Sequence, residues 1–296
     1  MNSVSTSPCF ICKGDRFHTL FTKGKQEYVR CAGCGVVVVD PLPASMDLQE
    51  FYDRDYKDNT GGGWALAAQE QMARATARYR LNVVRAHAHG TRWLDVGCST
   101  GLLLDEVSMA GFEAEGIDIS SAAVEEARSR NLKAYAATVE GFSAKGPYDI
   151  VTGFDVIEHV LDPVVFLHTV RRLLRPGGVL ALTTPDTGSL ICRLMGRRWY
   201  FYIPIVHTYH FNRANIARLL TQTGFQVVHI ARACKALNYN YSLIQFQASN
   251  PLIYRMWQLL GLFVPRSYRQ RNVRLPIGEM LVLARRAERT AAEKLD

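Results

Sequence analysis

The 296-residue chain is 48% hydrophobic and 21% charged, the balance of a soluble protein with one substantial core and a small appendage. No apolar stretch approaches a membrane span, and residues 1–8 lack the basic flank and apolar run of a secretory signal, so a cytoplasmic protein is expected. The net charge of +8, from 35 basic and 27 acidic residues, favours anionic partners such as nucleotide-sugars, acidic lipids or nucleic acid, although a merely basic surface would account for it equally.

Cys9-x2-Cys12 and Cys31-x2-Cys34 take four of the seven cysteines. Two such knuckles, with residues 13–30 between them, supply four thiolates for a tetrahedral zinc ion. Residues 17–21 and 26–30 can pair as a hairpin that brings the knuckles together. Two disulfides are the alternative, which a reducing cytoplasm disfavours. So small a segment has too little core to fold alone, so the metal is expected to be structural, with no open coordination position. Cys98, Cys192 and Cys234 read as small apolar residues. Residues 36–39 form a strand, Asp40-Pro41-Leu42-Pro43-Ala44-Ser45 a linker and 46–56 a short helix. After the joint Gly61-Gly62-Gly63, residues 64–87 carry apolar side chains at helical spacing.

Trp93-Leu94-Asp95-Val96-Gly97-Cys98-Ser99-Thr100-Gly101 is an apolar run that breaks into small residues and restarts at Leu102. That pattern is a strand, a tight turn and a helix N-terminus, with a backbone that a ligand can approach closely. Residues 112–117 form the next strand. Asp118 stands at its end, 23 residues after Asp95, placed to accept hydrogen bonds from both hydroxyls of a ribose. Ser120 caps a helix reaching about residue 130, and 132–136 is the third strand. Residues 148–154 are the fourth, with Asp155, Glu158 and His159 at the carboxyl end, where open α/β sheets present ligands. Asp162 and Pro163 start a helix that Arg175-Pro176-Gly177-Gly178 stops, before a fifth strand at 179–184. Aromatic and histidine side chains crowd residues 192–211, which reads equally as an acceptor pocket or a packed core. Asn212 caps a helix ending near Gly224; strands follow at 225–230 and 279–285, leaving an insertion between them. Its apolar run 251–264 precedes Arg266, Arg269, Arg271 and Arg274. It is too short to span a bilayer, and suits an interfacial helix, a lid or a dimer contact.

The spacing Asp95-x-Gly97-x-Ser99-x-Gly101 differs from a dinucleotide fingerprint and resembles motif I of the class I S-adenosylmethionine-dependent methyltransferases. That motif is usually D-x-G-x-G-x-G, and Ser99 is the departure. The resemblance continues through Gly116-Ile117-Asp118-Ile119-Ser120, Tyr148-Asp149-Ile150-Val151, Phe154-Asp155-Val156-Ile157-Glu158-His159-Val160 and Leu174-Arg175-Pro176-Gly177-Gly178, covering roughly residues 91–230. It implies an α/β fold: a Rossmann-like seven-stranded methyltransferase sheet with helices on both faces. It also implies S-adenosylmethionine contacts from Asp95, Gly97, Cys98, Ser99, Gly101, Asp118, Ile119, Phe154 and Asp155. Many relatives hold the adenine amino group with an acidic residue; here Ala137-Thr138-Val139-Glu140 stands there, which assigns the contact to backbone at Thr138 and Val139. The family's segment before motif I closes over the cofactor, which brings in Tyr56, Trp64 and Arg74. Residues 9–56 resemble the zinc-binding front piece of bacterial methyltransferases that modify sugars, lipids or polyketide-like molecules, and Tyr52-Asp53-Arg54-Asp55-Tyr56 matches its Tyr-x-x-x-Tyr.

The resulting expectation is O-methylation of a small-molecule, glycan or lipid-linked intermediate. His159 is the first choice of base, followed by His210 and His207. Glu158 with His159 resembles the Glu-His pair of ubiquinone-pathway O-methyltransferases, which raises a divalent ion at the active site. Two alternatives compete. An RNA methyltransferase would use the ribbon and the charge, but the chain lacks an Asn-Pro-Pro-Tyr-type tetrapeptide after the fourth strand and a basic run with interleaved aromatics. A non-catalytic scaffold would not need Gly97, Gly101 and Asp118 intact. The expected division is 1–58 zinc ribbon and linker helix, 59–231 donor-binding domain, 232–278 insertion and 279–296 last strand and tail. For residues 251–274 a lid over the acceptor or a dimer contact ranks ahead of peripheral contact with the inner face of the membrane, which stays open as the alternative. Oligomeric state is left open.

Overall fold

The computed structural model describes residues 8–42, 67–144, 146–204, 206–239, 243, 251–269 and 271–288. The expected helix at 46–56, the joint at 61–63, Tyr56 and Trp64 lie outside them.

Near the N-terminus, β1 (Phe17–Lys23) and β2 (Gln26–Cys31) form the expected hairpin, closed at Lys23↔Gln26. β3 (Val37–Asp40) pairs antiparallel with β2. The main domain begins with α1 (Ala67–Arg85) and β4 (Arg92–Val96). Alternating strands and helices follow: α2 (Leu102–Met109), β5 (Glu113–Asp118), α3 (Ser121–Ser129), β6 (Ala134–Ala136), β7 (Tyr148–Phe154), α4 (Pro163–Leu173) and β8 (Leu174–Pro185). Ser120 and Asp162 cap α3 and α4 as expected, their side chains accepting backbone N–H groups, and Pro163 opens α4. The chain then runs through α5 (Leu190–Met195), β9 (Tyr209–His210), α6 (Arg213–Gln222), β10 (Phe225–Leu237), α7 (Pro251–Gly261), α8 (Arg266–Arg269) and β11 (Val273–Arg286).

The seven-stranded sheet has the order β10-β11-β8-β7-β4-β5-β6, parallel except where β11 pairs with β10 and β8. Side chains alternate across it, so both faces need cover. On one face Trp93 and Ile150 pack with Leu81, Val84, Leu104 and Val124 from α1, α2 and α3. On the other, Leu94 and Val151 meet Phe166 and Val170 from α4 and Ile216 and Leu220 from α6. This is the Rossmann-like methyltransferase architecture that the motif order implied.

Two element expectations need correction, and an alternative left open by the residues is narrowed. Arg175-Pro176-Gly177-Gly178 does not separate helix from strand. Leu174 already pairs with Tyr148, and a bulge holding Gly177 at φ 75° precedes the next pair, Ile150↔Val179. Asp149 explains the early start: it accepts the Thr91 and Arg92 backbone N–H groups, each at 2.9 Å, and ion-pairs with Arg175. The insertion expected over 232–278 is shorter, because β10 runs to Leu237 and β11 starts at Val273, with Leu237↔Val273 as the last pair. The aromatic segment 192–211 is mostly core. Trp199, Tyr202, Tyr209 and Phe211 are buried, and Trp199, Tyr202 and Cys192 pack on Tyr28, Val37 and Val39.

That packing joins the two parts of the chain. β9 completes a second sheet of order β1-β2-β3-β9 through Val37↔His210 and Val38↔Tyr209. The cysteine ribbon is thus a sheet whose fourth strand belongs to the main domain. Among the described residues, no helix is long and apolar enough to cross a membrane.

Candidate active site

The loop after β4 turns tightly at the carboxyl edge of the sheet. Gly97 and Gly101 adopt φ 74° and 82°, and a Cβ on either would meet Val156 or Leu132 at 2.6 and 2.5 Å. Ser99 also lies in the left-handed region, at φ 46°. The departure from the usual motif therefore sits where glycine is conformationally preferred. Gly97 and Ser99 are exposed, while Cys98 turns inward against Gly116, leaving only its backbone for a ligand.

Asp118 ends β5 beside this loop. Its Oδ2 accepts the Ser99 N–H at 2.8 Å and its Oδ1 the Ser120 N–H at 2.9 Å. Each oxygen keeps acceptor capacity for a ribose hydroxyl. Burial raises the Asp118 carboxyl against these backbone donors. Asp95 lies beneath the loop, almost fully buried, where it accepts the Thr152 hydroxyl at 2.7 Å. Burial pushes it up to about 7. Ile119 is half-buried after Asp118. In the next loop Thr138 is exposed, its Oγ1 accepting the Gly141 N–H at 3.1 Å, and Val139 is buried. Arg74, a candidate for cofactor contact for which a core or surface role is the stronger reading, pairs with Glu70, Asp105 and Glu106 at 2.9, 2.7 and 3.2 Å.

Beyond β7, Phe154 is buried under the Arg80 guanidinium, 4.8 Å from its ring centroid, and Asp155 adopts φ 58°. Asp155 gathers a charge cluster whose other members the sequence did not single out. Its Oδ2 lies 3.0 Å from Arg80 and 3.3 Å from Lys235; its Oδ1 accepts the Thr183 hydroxyl at 2.8 Å. Lys235 also pairs with Glu279 at 2.7 Å. Burial would raise the Asp155 carboxyl, but Arg80 and Lys235 outweigh it and hold the group well below the usual carboxylate range. Glu279 had a sequence signal: it is a lone carboxylate heading the apolar run Met280-Leu281-Val282-Leu283. Arg80 had none, being one of several arginines on its helix.

The histidines lie one turn further on. His159 places Nδ1 2.9 Å from the Val206 carbonyl and His207 places Nδ1 2.7 Å from the Phe201 carbonyl. A carbonyl can only accept, so each Nδ1 carries the proton and Nε2 keeps its lone pair. The two rings meet edge to face at 4.6 Å, and one donor atom from each of Glu158, His159 and His207 lies within 4.8 Å of the others. Burial drives His159 down to about 4, lowers His207 well below the ordinary histidine value, and raises Glu158. His210 is fully buried between Tyr28 and Tyr202, with Nε2 at 3.2 Å from the Phe201 carbonyl. In that position it packs the sheet junction; His159, half-buried, is the histidine of the three that keeps some exposure.

In the N-terminal ribbon the four knuckle cysteines converge. Cys9 and Cys34 sulfurs are 3.6 Å apart, Cys12 and Cys31 sulfurs 3.4 Å, and all four lie within 4.8 Å of one another. The edge of a zinc–thiolate tetrahedron is roughly 3.8 Å for 2.3 Å bonds, so this donor set fits zinc. The Cys34 thiol, donating to Cys9, holds the Cys9 sulfur down at about 5.

The parallel sheet, the loop at its carboxyl edge and the acidic residue after the second strand define a class I S-adenosylmethionine-dependent methyltransferase. Comparison with known proteins agrees. A family model described as a methyltransferase domain matches residues 67–230, over half of the chain, and the chain belongs to that family. A ubiquinone biosynthesis O-methyltransferase of Burkholderia pseudomallei is 27% identical over 220 residues, covering 69% of this chain and 91% of the relative. The magnesium protoporphyrin IX methyltransferase of Synechocystis PCC 6803, solved with bound SAH, superposes with a TM-score of 0.54 at 16% identity, over 82% of this chain and 100% of that one. A 1,6-didemethyltoxoflavin-N1-methyltransferase of Burkholderia thailandensis gives 0.53 at 15% identity, over 92% and 100%. At such identities the two structures speak for the fold alone.

Proposed function

We propose that the chain methylates an oxygen of a small-molecule, glycan or lipid-linked acceptor, with His159 accepting the hydroxyl proton. The observation that carries this reading is the placing of His159 just past the carboxyl end of β7, the strand beside the one that carries the donor loop, with Nδ1 held by the Val206 carbonyl at 2.9 Å and Nε2 4.0 Å from the Glu158 carboxylate. Bound S-adenosylmethionine would supply a methyl group already activated on sulfonium, leaving alignment as the main task of the protein. Gly97, Ser99 and Gly101 would receive it with their backbone and Asp118 with its carboxylate; backbone at Thr138 and Val139 would meet the adenine edge. Asp155, fixed by Arg80, Lys235 and Thr183, keeps its charge and shapes the floor between donor and acceptor. His159 would take the acceptor's hydroxyl proton at Nε2 during methyl transfer. The name of the Burkholderia relative supports oxygen as the methylated atom.

The cluster of Glu158, His159 and His207 favours a second reading. These residues would hold a divalent cation, which would polarise the acceptor hydroxyl in place of a base. The carbonyls of Val206 and Phe201 then act as the outer partners that fix both rings. Cys9, Cys12, Cys31 and Cys34 would hold a structural zinc. Titration with S-adenosylmethionine by calorimetry, then acceptor screening with product mass analysis, tests the main reading. Absence of donor binding would defeat it. His159→Gln should retain donor binding while lowering turnover by roughly 10²–10⁴-fold. If chelation abolishes turnover and added divalent metal restores it, with donor affinity unchanged, the cation reading replaces the base.

A further inference from the structure

Residues 232–274 contain seven Arg or Lys and no Asp or Glu, against +8 for the whole chain. They include the hairpin overhang beyond β8 and the two helices α7 and α8. Local contacts tie α7 and the turn after it to the end of β10. The Tyr239 hydroxyl donates to the Trp257 carbonyl at 2.7 Å, and the two rings stack at 5.9 Å. Gly261 sits so close to Tyr239 that a Cβ would fall 1.9 Å from the hydroxyl oxygen. Arg269 ties down the turn by donating to the Gly261 and Val264 carbonyls at 2.6 and 3.0 Å.

With Trp257 and Gly261 turned inward, the opposite face should be polar. It is apolar instead. Leu259 is 64% exposed, and Leu262 and Phe263 in the following turn are 74% and 85% exposed. Exposed Arg255, Arg271 and Arg274 accompany them. A helix apolar on both sides, with one exposed arginine of its own and two more in the chain that follows, has the make-up of an interfacial element.

We propose that this face docks on an anionic lipid bilayer. Leu259, Leu262 and Phe263 enter the boundary between headgroups and acyl chains, while Arg255, Arg271 and Arg274 pair with lipid phosphates. Charge selects this occupant over a second copy of the chain, since an isologous contact would bring two acid-free cationic patches together. A nucleic acid would match the charge but offers aliphatic side chains no stacking partner. The overhang stands at the carboxyl edge of the sheet, the edge that carries the donor loop, so docking places the methyl-transfer site beside the bilayer. The docking itself does not depend on which acceptor is methylated.

Flotation of the full chain with vesicles tests the idea, using phosphatidylglycerol mixed with phosphatidylcholine against phosphatidylcholine alone. Binding to the anionic vesicles, weakened by salt, is expected, with little on the neutral ones. Leu262→Ser with Phe263→Ser should lower partition by at least about tenfold. Arg271→Glu and Arg274→Glu should each cost roughly fivefold or more. The same variants should bind S-adenosylmethionine unchanged. Equal partition to both vesicles, no partition, or partition indifferent to these substitutions would overturn the proposal. A concentration-dependent dimer that Phe263→Ser dissolves, without vesicle binding, would also overturn it. Vesicle binding by a chain that takes up no donor would support docking and count against the methyltransferase reading instead.

Discussion

Ser99 shows how one backbone angle constrains a site. Its φ of 46° is tolerated by a small polar residue, and its N–H at this angle reaches Asp118. A β-branched side chain there would be strained. Ser99→Val is expected to cost roughly 1–3 kcal/mol and to weaken donor binding, whereas Ser99→Gly should bind the donor at least as well; calorimetry and thermal melts read both. His210 makes a second residue-scale case. Burial pushes its pKa from 6.5 down to about 4. Between those values the unfolded chain binds a proton that the folded chain refuses. Its contribution is therefore complete above 6.5 and is lost as pH falls towards 4. In that window one such group gives a slope of about 1.4 kcal/mol per pH unit at most. His210→Gln should flatten the acid limb of the stability curve by up to that amount, and an unchanged limb would show that His210 is not refusing the proton.

Element by element, legibility followed locality. Strands with a clean apolar pattern, such as β7, and helices with local caps, such as α3, α4 and α6, stand close to where the residues placed them. The start of β8 was hidden because Arg175 belongs to Asp149, which is distant in sequence. The ends of β10 and β11 were hidden because each strand is extended by pairing with the other. The role of the ribbon was hidden too, since its fourth strand lies at Tyr209–His210. That pairing makes the cysteine site a support for the histidine segment: Val39 donates to the Thr208 carbonyl at 3.0 Å, and Thr208 donates to the Glu158 carbonyl at 2.8 Å. Chelation of the zinc proposed here, or Cys12→Ser, should therefore raise amide exchange in β2, β3 and β9 together, leaving β4, β5 and β7 protected. Exchange rising in β2 and β3 alone would mean that the histidine segment stands without the ribbon.

At the scale of the whole molecule, the charge cluster under the site draws Arg80 from α1, Asp155 from the turn after β7, Lys235 from β10 and Glu279 from β11, so no local pattern announced it. Arg80, Asp155, Lys235 and Glu279 hold one another in a confined space, and the arrangement carries a pH signature. Removing one cation should leave two carboxylates competing for Arg80. For Lys235→Met, breaking such a pair would cost about 3–5 kcal/mol if fully buried. Lys235 is 29% exposed, so about 2–3 kcal/mol is the better expectation after screening. Burial already raises the Glu279 carboxyl, and losing its closest cation should raise it further. A carboxyl raised in the folded state binds a proton there that the unfolded chain has released, so stability falls as pH rises from the ordinary glutamate value to the folded one. The Lys235→Met deficit should accordingly be small in acid and grow towards neutral pH. Adding Glu279→Gln removes the stranded charge and should restore much of the loss. Denaturant melts of the two single variants and the double, each across pH, measure the coupling directly. A deficit independent of pH, or a double variant no better than Lys235→Met alone, would mean that Lys235 contributes packing rather than charge balance.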